Sequence, residues 1–314
     1  MSTEDLDKDH DSVYDGLLDA DHAGDDSQWA FGTDFEDPLA GVDTTLPDGA
    51  DAGALAAYCL MLGDDALIGS HRLSQWSSRA HDLEDDIALS NIALDLLGQA
   101  RLLLARAAAA DPGVVPELPE GSPVPPEDAL AFFRDEGGFR NVRLVEQPNG
   151  DFAETVARLL VTSVWRLALL ERLAGSRDTV LAAIAEKGVK EVTYHRDYAA
   201  RWVLTLAHGT EESRARLVAG LDVVWPLHDE LFRTTDVERT VAEQQVGVDP
   251  ASVADEVGVL IDHVLSVAGL ERPTRAAAGP VAGGTGRDGR HTEAMGPLLA
   301  KMQVVARAHP TGLW

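Results

Sequence analysis

The 314-residue chain has little of what most directly betrays a function. It holds one cysteine, Cys59, within an apolar run, which excludes a disulfide framework and favours a reducing, cytoplasmic setting. Cys59 itself reads as a small core hydrophobe. Lysine occurs only at Lys8, Lys187, Lys190 and Lys301. With a net charge of −27 the chain lacks the basic footprint that nucleic acid requires. No stretch approaches the ~20 uninterrupted apolar residues of a membrane span, and no signal peptide opens the chain. A soluble cytoplasmic protein, with neither nucleic acid nor membrane as partner, is expected. No segment sustains the alternation of a strand. Paired-cysteine metal sites, a nucleophile elbow and coiled-coil heptads are also missing.

What is present is acid, unevenly placed. Residues 1–51 carry 16 Asp or Glu against Lys8 alone, leaving −12 on the remainder. Surplus acid with scarce lysine looks like the surface habit of proteins that work in concentrated salt. There the Debye length falls to ~3 Å at 1 M, so self-repulsion is screened and the charge reports the solvent more than a partner. Residues 1–51 also lack apolar periodicity and are expected to form a disordered acidic tail. Trp29, Phe31 and Phe35 inside it are either incidental or a docking element.

From residue 52 onward the periodicity is helical. Helices are expected at about 52–70, 82–110, 127–136, 151–175, 178–207, 210–232, 249–270 and 292–308. Asp82, Asp151 and Asp178 stand where N-caps belong, Glu154 completes the spacing of a capping box, and Gly209 marks a stop. The class is all-α. Long helices with two sizeable connections predict a ferritin-like bundle with additional C-terminal helices, in one domain covering 52–314.

The most telling helix is DIALSNIALDLLGQARLLL, residues 86–104. Asn91, Asp95 and Gln99 recur at i, i+4 and i+8 and form one polar file. Ile87, Leu94, Leu97 and their apolar neighbours cover the other directions, so the helix is expected in the middle of the protein. A buried carboxylate there must be paired, hydrogen-bonded or bound to metal.

A di-iron carboxylate bundle takes a Glu from each of two helices and a Glu-x-x-His pair from each of two others. None of the ten histidines has a Glu three positions before it: Val192 precedes His195, Thr205 precedes His208 and Trp225 precedes His228. Fragments remain at degenerate ligand positions. Asp64 and Asp65 lie in the first helix, Asp95 stands three before Gly98, and Glu191 stands four before His195. Buried hydrogen-bonded pairs are one reading, with Arg101, Arg158, Arg166 and Arg172 as cationic partners. A non-standard metal site drawn from Asp65, Asp95, Glu191 and His195 is the other. The loop GPVAGGTGRDGR, 279–290, has the glycine content of a phosphate loop without the Lys-Ser/Thr that would follow. It leads to a helix start at His291-Thr292, where free N–H groups suit an anion. It is read as a flexible connection or as part of a CoA-binding module.

Five segments carry a resemblance: LMLGDDALIGSHRLSQWSSRA (60–80), LEDDIALSNIALDLLGQARLL (83–103), AFFRDEGGFRNVRLVEQPNGDFAETVARLL (131–160), KEVTYHRDYAARWVLTLAHGTEES (190–213) and GRHTEAMGPLLAKMQ (289–303). In order and spacing they resemble the PaaC family, the structural ferritin-like subunits of the phenylacetyl-CoA 1,2-epoxidase (ring-oxygenase) complex. The resemblance implies a non-catalytic chain with no metal, cofactor or catalytic residue of its own. It implies a PaaA-like catalytic sister that carries the di-iron centre and binds the CoA thioester. A PaaB-like subunit and a flavin/iron–sulfur reductase complete such a complex, a monooxygenase of aerobic phenylacetate degradation. The acidic tail lies outside the resemblance.

Overall fold

The computed structural model describes residue 39 and residues 41–312. Trp29, Phe31, Phe35 and the rest of the expected tail up to residue 38, with residue 40, lie outside the described residues. Every regular element among the described residues is helical. Helix α1 (Ala52–Ser74) starts at Asp51, whose side chain accepts a hydrogen bond from the Ala54 N–H. Helix α2 (Leu83–Ala110) starts at Asp82, which caps the Asp85 N–H, and its first turn holds Glu84, Asp85 and Asp86 against the positive end of the helix dipole. A long connection carries the short α3 (Pro126–Phe132). Helices α4 (Phe152–Leu173) and α5 (Thr179–His208) begin at Asp151 and Asp178, each capping the N–H three residues on.

Beyond Gly209 the expected boundaries shift. The helix expected at 210–232 is α6 (Glu211–Val224) followed by a 3₁₀ segment, Trp225–Phe232, because Pro226 has no N–H to continue the α ladder. A further helix, α7 (Asp236–Glu243), was not foreseen; its Thr235–Glu238 capping box holds it despite its brevity. Helix α8 spans Ala254–Val267 after a 3₁₀ turn at Pro250–Val253, and α9 spans Met295–Ala308, beginning three residues later than expected.

The short links 75–82 and 174–178 make α1–α2 and α4–α5 antiparallel pairs, and α2 packs on α5 to close the four-helix core of a ferritin-like bundle. The long 111–151 connection is the crossover between the pairs. Helices α6 and α8 cover α4, α7 lies on α1, and α9 on α3. Leu67, Ile68, Leu89, Ile92, Leu103 and Trp165 are among the fully buried core side chains; each stabilises the fold by about 1.5–3 kcal/mol relative to exposure. Residues just before α1 lie on this body. Arg106 donates to the Thr44 carbonyl at 2.7 Å, and the Asp51 N–H donates to Gln244 Oε1 at 2.9 Å.

Helix α2 corrects an expectation. It is not surrounded by protein: Leu83, Ile87, Leu94 and Leu97 are 68%, 51%, 52% and 41% exposed. They share one face, at i, i+4, i+11 and i+14. Periodicity marks a side chain as apolar without saying what it packs against. By length and composition α1 and α2 could each cross a bilayer, but each carries carboxylates at mid-helix (Asp64 and Asp65; Asp95) that bond to other parts of the chain.

Two glycines give a contrasting test. A Cβ at Gly220 in α6 would sit 2.8 Å from the Glu154 Cα at the start of α4, while one at Gly98 meets no atom within 4 Å. Gly220→Ala is expected to cost about 1–3 kcal/mol through forced separation of α6 from α4. Gly98→Ala is expected to be neutral or to stabilise by up to about 1 kcal/mol through helix propensity. Urea midpoints of the two variants check both.

Candidate functional site

The polar file on α2 meets α5 and α4 at the centre of the bundle. Asp95 Oδ2 lies 3.0 Å from His195 Nε2, so these two positions converge as a hydrogen-bonded pair across the helix interface. One turn on, Gln99 Nε2 donates to Glu191 Oε2 at 2.8 Å, and Gln99 Oε1 accepts from Arg166 Nε at 2.9 Å. The other Glu191 oxygen is 2.7 Å from Lys187 Nζ. Asn91 is half-buried at the outer end of the file. Gly98, read as the degenerate partner of Asp95, instead lines the surface groove between α2 and α3.

Asp65 is engaged from a distant part of the chain. Its oxygens accept from Arg287 Nη1 at 3.1 Å and Nη2 at 2.9 Å, and from the Val142 N–H at 2.8 Å. Burial pushes the Asp65 carboxyl above its ordinary value, against the lowering pull of Arg287. Its neighbour Asp64 is held by Arg134 Nη1 at 3.0 Å and by the Arg140 N–H at 2.8 Å. Similar pairs join Arg143 to Glu230 and Arg106 to Asp178, all buried. The arginines expected as partners do other work. Arg101 and Arg172 reach Glu127 and Glu256 near the surface, and Arg158 and Arg166 bond to neutral oxygens. The true partners are Arg106 within α2, Arg134 just past the end of α3, which falls short of the helix expected to 136, and Arg143 and Arg287 in connections between helices.

The glycine-rich loop is exposed over 279–283 and is built into the protein from Thr285. A Cβ at Gly286 would fall 2.0 Å from the Asn141 carbonyl oxygen, so only glycine permits this approach. Arg287 then enters the core, also donating to the Met61 and Arg140 carbonyls. Beyond the loop, the anion expected at His291-Thr292 is a side chain of the protein itself. Glu146 accepts from the Thr292 N–H at 2.6 Å and lies 2.7 Å from His291 Nδ1. Burial draws the His291 imidazole downward, but the Glu146 hydrogen bond and charge, with the Phe139 carbonyl, leave it raised above its ordinary 6.5.

These residues do not fit a di-iron centre. Asp65, Asp95 and Glu191 already bond to protein donors, and His195 is paired with one of them. Among the described residues, the group of three that could hold a metal is His81, Asp82 and Asp85, at the α2 N-terminus. Within it, Asp82 caps the Asp85 N–H, and Asp85 Oδ1 accepts from Tyr198 Oη at 2.6 Å and Trp202 Nε1 at 2.8 Å. The centre of the bundle is chemically a hydrogen-bond and ion-pair network. The signal that could have found Arg134 and Arg287 was Asp64-Asp65 itself, since two adjacent acids in an apolar helix demand two cations from elsewhere.

Comparison with known proteins places this geometry. Residues 42–314 match the family described as "Phenylacetic acid catabolic protein". The chain is 41% identical over 261 residues to a 1,2-phenylacetyl-CoA epoxidase subunit, the one designated C, of Escherichia coli (strain K12), covering 83% of this chain and 99% of that relative.

Arg287→Met strands the buried carboxylates of Asp65 and Glu238 and is expected to destabilise by about 3–5 kcal/mol, with Asp65→Asn added to it restoring part of the loss. A denaturant double-mutant cycle reads both. The His291–Glu146 pair gives a pH dependence. A raised folded pKa stabilises fully below the unfolded value near 6.5 and is lost as pH rises through the folded value. The stability gap between the parent chain and His291→Gln is therefore expected to shrink as pH is raised above about 6.5. A gap that widens there would count against the pairing.

Proposed function

Because the chain belongs to the phenylacetic acid catabolic protein family, we propose that it serves as a structural subunit of a phenylacetyl-CoA 1,2-epoxidase in aerobic phenylacetate degradation. The observation that carries the non-catalytic part is the state of the degenerate ligand positions. Asp65 is taken by Arg287, Asp95 by His195, and Glu191 by Gln99 and Lys187. No set of free carboxylates and imidazoles faces a common point there, so oxygen activation belongs to another chain. That chain is a PaaA-like sister holding the di-iron centre, with a PaaB-like subunit and a flavin/iron–sulfur reductase completing the system in the cytoplasm. Residues 42–51 fall within the family match and bond to the helical domain, and the acidic segment before them is outside this role.

The exposed apolar face of α2 supports pairing with such a sister. Leu83, Ile87, Leu94 and Leu97 run along it, and a groove of about 790 Å³ beside them is lined by Leu102 and Phe132. Exposed apolar side chains repeated along one helix face, here interrupted by Ser90 and Asn91, mark an interaction site, and permanent hetero-complexes bury large apolar interfaces.

Co-expression with the sister subunit tests the reading. The two chains are expected to co-purify, with about two irons on the sister and no stoichiometric iron here. Leu94→Glu buries an unpaired charge at the interface and is expected to weaken the pairing by more than about 100-fold, while leaving the helical circular dichroism of this chain unchanged. Two irons bound to this chain alone, with a carboxylate-bridged optical signature, would defeat the proposal.

A further inference from the structure

A partly open cavity of about 50 Å³ lies among α1, α2, α4 and α5. One water needs roughly 10–15 Å³ of such space, so there is room for a small ion and its hydration. Three buried guanidiniums line it: Arg72 of α1, and Arg158 and Arg166 of α4. All three bond only to neutral oxygens. Arg72 donates to the Glu146 and Ala294 carbonyls, and Arg158 to the Gln147 and Pro148 carbonyls and to Asn149 Oδ1. Arg166 donates to Gln99 Oε1 and the Leu62 carbonyl.

The surrounding acids balance them only in part: Glu146 acts on Arg72, Glu154 on Arg158, and Asp65 and Glu191 on Arg166, none of these carboxylates through a direct bond. Asp65 is bonded to Arg287, which also faces Glu238, and His195 is bonded to Asp95. Burial pulls all three guanidiniums below the usual arginine value, Arg158 to about 10, where Glu154 opposes the fall and Arg72 adds to it by like charge. Two donors from adjacent cavity-lining residues, Arg166 Nη2 and Trp165 Nε1, are buried and have no acceptor within the protein.

We propose that this cavity binds a small monovalent anion of chloride size, which accepts hydrogen bonds from Arg166 Nη2 and Trp165 Nε1 in the positive field of Arg72 and Arg158. Water could accept from the same donors, but it carries no charge to answer guanidiniums that are only partly balanced and are buried, where charge interactions are stronger than in bulk water. Cations are repelled for the same reason. The anion is a structural counter-ion of the bundle centre, and its binding does not depend on the partner subunit.

The test uses the purified full chain with bromide as the probe. Crystals grown in sodium bromide and measured at the bromine absorption edge are expected to show an anomalous peak in the cavity, within hydrogen-bond reach of Arg166 and Trp165. In solution, Tm is expected to rise saturably as bromide or chloride replaces gluconate at constant ionic strength, because only the folded state binds the ion. Trp165→Phe removes one donor to a charged acceptor and is expected to shift the half-saturating concentration upward by about tenfold. Arg166→Gln is expected to abolish the dependence; should it fail to fold, the Trp165→Phe shift still decides.

Waters alone in the cavity, with equal Tm in halide and gluconate, overturn the proposal. So does bromide found only at exposed arginines, an adventitious ion only, or a halide effect indifferent to Trp165→Phe. Failure of the subunit reading would appear separately, in co-purification and iron content.

Discussion

Adjacent carboxylates at Asp64 and Asp65, buried in the middle of an apolar helix, set the terms for much of this molecule. Successive helical side chains point about 100° apart, so one cation cannot serve both. Arg134 comes from the end of α3 and Arg287 from the glycine-rich loop near the C-terminus. The backbone N–H groups of Arg140 and Val142 join the same two acids. The crossover between helix pairs and the distant loop are thereby docked on α1. Glu146 with His291, and Glu230 with Arg143 and the Gly286 N–H, secure the two segments further. Buried pairs of this kind add little net stability over apolar packing, but breaking one is costly. Their effect is to leave few dockings in which every charge is matched.

The same balance bears on function. In a di-iron bundle the inward side chains are anionic and imidazole ligands that together hold two cations. Here the acids of α1, α2 and α5 are matched by Arg287, His195, Gln99 and Lys187, and three further arginines face the central cavity. What the fold offers outward is the α2 face, with leucines and an isoleucine in helical register and a groove alongside. A bundle that keeps its shape by internal ion pairs and presents one apolar helix face suits a partner-holding subunit.

Local chemistry was legible from the chain. Asp82, Asp151 and Asp178 cap helices as their positions imply, because a cap bonds to an N–H only three residues on. The i, i+4, i+8 file also survives in part: Asp95 and Gln99 bond to α5, and Gln99 accepts from α4. The identity of the cations was not legible. Arg101 and Arg172 share helices with the core yet point to the surface, whereas Arg287 reaches Asp65 across 222 positions of sequence. The loop 279–290 reads as flexible because glycine is counted without its neighbours. Only the fold shows that Gly286 lies against the Asn141 carbonyl and that Arg287 is thereby aimed inward.

The sequence by itself determined the all-α class, the placement of the long helices and the family resemblance, since these rest on periodicity, caps and the order of segments. It also determined that no Glu-x-x-His pair exists. The tertiary structure decided which guanidinium meets which carboxylate, that Asp95 and His195 touch, and that Leu94 and Leu97 face outward. Periodicity reports how apolar each helix face is. What a face packs against, and which charge lies beside a buried acid, depends on chain segments that meet only on folding.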